Sequence, residues 1–330
     1  MMKSKLRFGI VGCGGIAHGH VERLLSMPEA EVTALMDTDP ARIASMVRSF
    51  PALAGASSFD THRALIKTGS LDAVVICSPH IAHFAQITDC LRAGLHVLTE
   101  KPMVCSVDHA RKVMQTEQKA GKLLAVSYQR HGQAPYQFIR RQLAGRAPGA
   151  VKFIAALQGQ EWLESQKGLW RQVMHISCGG QLNDSGSHLI DVILWMTGLA
   201  PAEVSAAIDN CGREVDINSA LSVKFKGGAI GTFSVVGSWP GGFCEEIAIV
   251  CERWAFQLRD GHLTYNTGPR GEFHRVEAFG AAGVSPDHNF VDAIRGRAEV
   301  LAPSICGLRT IELTEAAWKS AESGRPVKLR

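Results

Sequence analysis

The chain has 330 residues, 46% of them hydrophobic, with 35 basic and 31 acidic side chains for a formal net charge of +4. That length and apolar content can bury a large core and suggest two domains. So small a charge excess argues against a nucleic-acid groove, and the densest basic cluster, Arg140-Arg141 with Arg146, reads as a solvated helix face. The nine cysteines are scattered without a Cys-x-x-Cys pair. They read as reduced thiols of a cytoplasmic protein, with neither a disulfide framework nor a metal site. No apolar run approaches membrane-spanning length, and the first strand starts too near Met1 to leave room for a signal peptide.

Leu6 to Val11 is an apolar run suited to a buried parallel strand. It leads into Gly12-Cys13-Gly14-Gly15-Ile16-Ala17, which fits G-x-G-x-x-A. Gly12 permits the tight turn, Gly14 lets backbone approach a pyrophosphate, and Ala17 allows close helix packing. The helix that follows, to Met27, aims its amides at an anion, so Gly12, Gly14, Gly15 and Ile16 are expected to touch a dinucleotide. A second strand, Val32 to Met36, ends at Asp37. A carboxylate there accepts from both ribose hydroxyls and repels a 2′-phosphate, so NAD is favoured over NADP. Arg42 on the next helix could still accommodate a phosphate.

The strand Asp72 to Cys77 ends in Ser78-Pro79-His80, a loop at the ligand-binding edge of a doubly wound sheet. A helix from Ile81 to Ala93 closes at Gly94, and the strand Leu95 to Leu98 delivers Thr99-Glu100-Lys101-Pro102 to the same edge. Ser106 caps the next helix, and Leu123 to Val126 completes the sheet. After Tyr128 the pattern changes. A helix near Pro135 to Leu143 and a long strand, Val151 to Gln158, are followed from residue 203 by alternating segments, among them Ser219 to Phe225, Ile230 to Val236, Glu246 to Val250 and Ala255 to Leu258. Their Gly-rich turns indicate an antiparallel sheet. Two amphipathic helices, Pro286 to Arg295 and Leu308 to Ser320, finish the chain. The expected fold class is α/β: a doubly wound parallel sheet over 1–127 for NAD, and an α/β domain over 128–330 for substrate and oligomerisation.

Between these segments, residues 179–191 read Gly-Gly-Gln-Leu-Asn-Asp-Ser-Gly-Ser-His-Leu-Ile-Asp. If this stretch opens a helix, Asp184 and His188 share a face, with Asp191 one turn on. A histidine between carboxylates can take and return a proton near neutrality. The plainer alternative is a capping aspartate beside a core histidine.

In this order, Gly12-x-Gly14-x-x-Ala17, Ser78-Pro79 with His83, Glu100-Lys101-Pro102 and Gly179-Gly180-x-x-x-Asp184-x-Gly186-x-His188-x-x-Asp191 make the chain resemble the Gfo/Idh/MocA oxidoreductases, the group of glucose-fructose oxidoreductase and inositol dehydrogenase. His288 to Ile294 and Ser323 to Val327 extend the resemblance over nearly the whole chain. It implies an N-terminal Rossmann domain, a C-terminal domain with a largely antiparallel open sheet, and sugars, cyclitols or their derivatives as substrates. His80 stands where the family more often has asparagine.

Oxidising a secondary alcohol requires a base at the hydroxyl and positive charge at the developing alkoxide. His188, oriented by Asp184, is the expected base, and Lys101, held by Pro102 and Glu100, the expected cation. Cys77, Ser78, Pro79, His80, His83 and Glu100 are placed on the cofactor side, with Gln129 beside them. Trp170 and Arg171 either cover the nicotinamide or pack structurally. Arg130, His131 and Trp162 are candidates on the substrate side. An alternative function uses the same groups: an NAD-retaining glycosidase that oxidises, eliminates, hydrates and re-reduces. A non-catalytic dinucleotide sensor would be expected to lose Lys101, Asp184 and His188. An exposed open sheet is a ready interface, so a homodimer or homotetramer is expected.

Overall fold

The computed structural model describes residues 4–268, 270–280 and 283–329. In it, continuous apolar runs become parallel strands and alternating ones become antiparallel strands, in two separate units.

The first unit holds six parallel strands: β1 (Leu6–Val11), β2 (Ala30–Met36), β3 (Ser57–Phe59), β4 (Ala73–Ile76), β5 (His96–Thr99) and β6 (Leu124–Val126). Their order is 3-2-1-4-5-6. Helices α1 (Gly15–Leu25), α2 (Pro40–Ser49), α3 (His62–Lys67), α4 (His80–Arg92) and α5 (Val107–Ala120) connect them. All four residues of β4 are buried, which is why its sequence does not alternate. Strand order reverses between β1 and β4, and the crevice beyond their carboxyl ends is where such sheets bind ligands. Ser106 accepts from the His109 amide and starts α5, as its sequence indicates.

The second unit begins with a short 3-10 turn, Gln129–Gly132, and α6 (Ala134–Ala144). Next come β7 (Val151–Gly159), α7 (Trp162–Ser165), α8 (Met174–Ser177) and α9 (Gly186–Thr197). Seven strands follow: β8 (Pro201–Asp209), β9 (Asn218–Phe225), β10 (Ile230–Val236), β11 (Cys244–Cys251), β12 (Ala255–Arg259), β13 (His262–Asn266) and β14 (His274–Arg275). After α10 (Pro286–Ile294) and α11 (Ser304–Ser323), β15 (Val327–Lys328) closes the chain. The sheet order is 14-13-12-11-7-10-9-8-15, antiparallel except for the β7–β10 pair. One face carries the core, where Ile154, Leu221, Val223, Phe233, Val235, Ile247 and Ile249 meet Leu189, Ile190 and Ile193 of α9. Most of the circumference of α9 is buried, which is why its sequence is largely apolar, with Asp191 the one buried charge in it.

The chain does not divide at one boundary. Val284–Gly307 returns to the first unit, where Phe290 and Val291 of α10 join its core. Phe290 meets Phe8 edge-on at 6.5 Å, and the Val126 amide donates to Ala302 at 2.9 Å. An amphipathic stripe shows that a helix face is buried but not in which core, so a single division after residue 127 misplaces this segment.

Candidate active site

At the end of β1, Gly12 has φ +94, and a Cβ there would lie 2.8 Å from the backbone of Cys77 and Ser78. Only glycine lets this turn pass so close to the loop after β4. A Cβ on Gly15 would meet nothing within 4 Å, and one on Gly14 only the Arg42 guanidinium at 3.6 Å. The N-cap of α1 is Gly14, which has no side chain to occupy the first-turn amides. An open approach to unpaired amides at a helix start is what a pyrophosphate requires. Ile16 beside it is 51% exposed. Asp37 is buried at the end of β2, with Oδ2 accepting from the Cys13 amide at 2.8 Å and Oδ1 from the Asp39 amide at 3.0 Å. Each oxygen keeps a lone pair for a ribose hydroxyl. These residues fit a dinucleotide.

Two loops meet at the same edge. The ring nitrogens of His83 lie 2.8 Å from the carbonyl oxygen of Pro102 and 2.9 Å from that of Ser78. His83 is fully buried, and burial lowers its pKa despite these bonds. Its ring joins the Ser78-Pro79 loop to the Glu100-Lys101-Pro102 loop. His80, buried at the start of α4, sets its ring against that of His83. The Ser78 hydroxyl donates to Gln86, and burial holds the Cys77 thiol well above its ordinary range.

Glu100 is tied down from both sides. Its Oε2 accepts from the Lys101 amide at 3.3 Å and its Oε1 from His20 Nε2 at 3.0 Å. His20 Nδ1 in turn lies 2.7 Å from Asp287 Oδ1, whose other oxygen accepts from Arg23 Nε at 2.5 Å. Burial alone would lower His20, but the bonds to Asp287 and Glu100 outweigh it and raise its pKa to about 9. Burial likewise opposes the Glu100 charge, and His20 overcomes it, taking the carboxyl to about 2. The arrangement sought at His188, an imidazole clamped between carboxylates, is found here. His20 and Asp287 escape a reading by motif because 267 positions separate them.

In the second unit, Asp184 Oδ2 accepts from Trp162 Nε1 at 3.0 Å and lies 3.2 Å from Arg171 Nε. The Arg171 guanidinium is 4.6 Å from the centroid of the Trp170 ring. Asp184, Trp162, Trp170 and Arg171 thus form one cluster around a buried carboxylate. The helix starts later than the spacing suggests, at Gly186, leaving Asp184 in the preceding turn, where its amide donates to Gly180. The cause is Asp216, whose carboxylate accepts from the amides of Gly180 and Leu182 and from Trp318 Nε1, pinning this turn outside the helix. Gly180 is obligatory there, since a Cβ would fall 1.9 Å from the Asp216 carbonyl oxygen. His188 stands half-buried in the first turn of α9.

Asp191 pairs with His131, Nε2 to Oδ2 at 2.7 Å, both fully buried and the imidazole stacked on Trp195. Burial raises the Asp191 pKa even against that partner. His131 is thus held between Asp191 and Trp195. Arg130 is also buried, paired at 2.5 Å with Glu245, which accepts from Tyr136 as well. Gln129 is exposed. Ser185 Oγ bridges Gln158 and Gln160, two polar residues of the β7 end that the sequence reading passed over.

An NAD-dependent oxidoreductase is the class that such a crevice and such proton-handling groups define. Residues 6–128 match the family described as "Oxidoreductase family, NAD-binding Rossmann fold", and residues 136–257 match "GFO/IDH/MocA C-terminal domain". The chain belongs to the Gfo/Idh/MocA oxidoreductase family. It is 26% identical to an inositol 2-dehydrogenase from Rubrobacter xylanophilus, over 98% of this chain and 93% of that protein. A D-glucoside 3-dehydrogenase from Escherichia coli is also 26% identical, over 60% of this chain and 56% of the relative. Among solved structures, the WlbA dehydrogenase of Chromobacterium violaceum, in complex with NADH and UDP-GlcNAcA, aligns with a TM-score of 0.85 at 26% identity, covering 100% of this chain and 97% of that one. Levoglucosan dehydrogenase with NADH aligns at 0.89 and 18% identity over 99% and 100%, a likeness of fold.

Proposed function

We propose that this NAD-dependent dehydrogenase interconverts a secondary hydroxyl and a ketone on a sugar, cyclitol or sugar derivative. The observation that carries the reading is the buried Asp184 carboxylate, fixed by Trp162 and Arg171 immediately before the helix turn that bears His188. His188 takes the hydroxyl proton and returns it in the reverse direction, with Asp184 favouring the charged ring. Lys101 stabilises the alkoxide. NAD, when bound, would supply the hydride-accepting nicotinamide. The amides of the glycine turn hold its pyrophosphate and Asp37 its adenosine ribose. The relatives named for inositol and glucoside oxidation support a polyhydroxylated ring as substrate.

A panel of sugars, inositols and glycosides, scored for NADH absorbance and product release, tests this. One NADH per product is expected, and His188→Ala and Lys101→Ala should each lower turnover roughly a hundredfold. Near-normal turnover of His188→Ala would overturn the assigned base. Aglycone release with catalytic NAD and no net NADH would replace the dehydrogenase with the redox-neutral glycosidase.

The outer face of the second sheet supports self-association. Register sets Phe153 beside Ile230 and Val250, and Ala155 beside Thr232 and Ala248. Ile230 and Val250 are 48% and 41% exposed. A homodimer or homotetramer covering this face is the proposed assembly. Nine free thiols suit a reducing cytoplasm, and among the described residues no helix is long and apolar enough to cross a membrane.

A further inference from the structure

We propose that His20 and Asp287 are positioning residues for Lys101: together they hold Glu100, and Glu100 holds the backbone from which Lys101 projects. The inference rests on Lys101 acting in hydride transfer, as proposed above. The chain of contacts is continuous, from Arg23 Nε to Asp287 at 2.5 Å, Asp287 to His20 at 2.7 Å, His20 to Glu100 at 3.0 Å and Glu100 to the Lys101 amide at 3.3 Å. Both ring nitrogens of His20 face carboxylate oxygens, which only accept. Arg23 Nη2 also lies 3.3 Å from Nδ1, but the nearer Asp287 oxygen at 2.7 Å favours a proton on that nitrogen, so the doubly protonated ring satisfies both carboxylates. The His20 side chain has no solvent exposure, and neither does that of Asp287.

The charges explain why such a costly buried cluster matters to its neighbour. His20 and Arg23 balance Asp287 and Glu100, so the protonated cluster carries no net charge to pull on the Lys101 ammonium. The Lys101 charge already acts on Glu100. Once His20 loses its proton, the cluster gains a net negative charge, and the ammonium is drawn towards Glu100 and away from an alkoxide. Cys77, held neutral by burial beside Glu100 and Asp287, brings no charge, and the Ser127 hydroxyl only donates to Glu100. The returning helix α10 supplies Asp287, so the segment Val284–Gly307 both fills the first core and fixes the catalytic loop.

Two readouts on the full chain test this. In ¹⁵N-histidine NMR, His20 should carry two protonated nitrogens at pH 7.5 and titrate near pH 9, and Glu100→Gln should move that titration down. In steady-state assays with NAD and a substrate found by the panel, His20→Gln should lower kcat about tenfold with KM little changed, and add nothing further in a Glu100→Gln background. Should His20→Gln fail to fold, Asp287→Asn, of equal size, is expected to lower both kcat and the His20 titration. A neutral His20 ring at pH 7.5, or additive effects of the two substitutions, overturns the proposal while Lys101→Ala still lowers turnover roughly a hundredfold. Normal turnover of Lys101→Ala overturns the active-site reading, and this inference with it.

Discussion

The Asp37 carboxylate serves two partners at once, because each of its oxygens accepts a backbone amide while the anionic charge remains for the ribose. Replacing Asp37 with serine removes the charge that repels a 2′-phosphate and loosens the glycine turn through the Cys13 amide. NAD affinity should fall roughly tenfold and the preference over NADP should shrink, as measured by fluorescence titration of both dinucleotides. An unchanged ratio would mean that Arg42, whose guanidinium hangs over Gly14, sets the preference instead. Such residues are legible in sequence because their partners lie within one strand-helix-strand unit. Asp37 is 24 positions from Cys13, whereas His20 and Asp287 meet only after the chain has traversed the second unit and returned. Asp184 falls between these cases. Its identity is readable from the motif, but its partner Trp162 and its place outside the helix depend on Asp216, 36 positions from Gly180.

At the scale of elements, α1, the Glu100 loop and α10 are cross-linked by one imidazolium, so their joint stability depends on its proton. His20 binds that proton more tightly folded than unfolded. The stabilisation is therefore complete below the ordinary imidazole value of about 6.5 and disappears as pH rises through about 9. Glu100 shows the same interaction from its other end: its contribution is full above the usual carboxyl range and is lost as pH falls towards about 2. Counted once, the pair is worth on the order of 3 kcal/mol. Thermal midpoints of the wild type should drop between pH 7 and 10 by several degrees more than those of His20→Gln, a comparison in which the other alkaline groups cancel. Parallel curves would remove His20 from the linkage. Strand and helix existence was readable wherever a period was sustained, as in β9 and β10. The short edge strands β3, β14 and β15 were not, since two or three residues carry no periodicity and are ordered by their neighbours.

For the molecule as a whole, the open question in the sequence was what the alternating strands of the second unit present on their outer side. Ala248 lies in β11 between Ile247 and Ile249, which are buried at 2% and 0% exposure, so its own side chain points away from that core. Ala155 of β7 lies opposite it, and Thr232 of β10 lies beyond Ala155. These small side chains give a flat centre, rimmed by Phe153, Ile230 and Val250, on which a second copy can pack closely. A large cation placed there should block that packing without entering the core. Ala248→Arg is therefore expected to sediment as a monomer at micromolar concentration, where the wild type sediments as a dimer or larger. Its unfolding midpoint should stay within the range of ordinary surface substitutions, and it should still bind NAD, because the glycine turn and Asp37 belong to the other unit. A wild type that is already monomeric, or an Ala248→Arg variant that associates as the wild type does, would show that this sheet face is not the contact between copies.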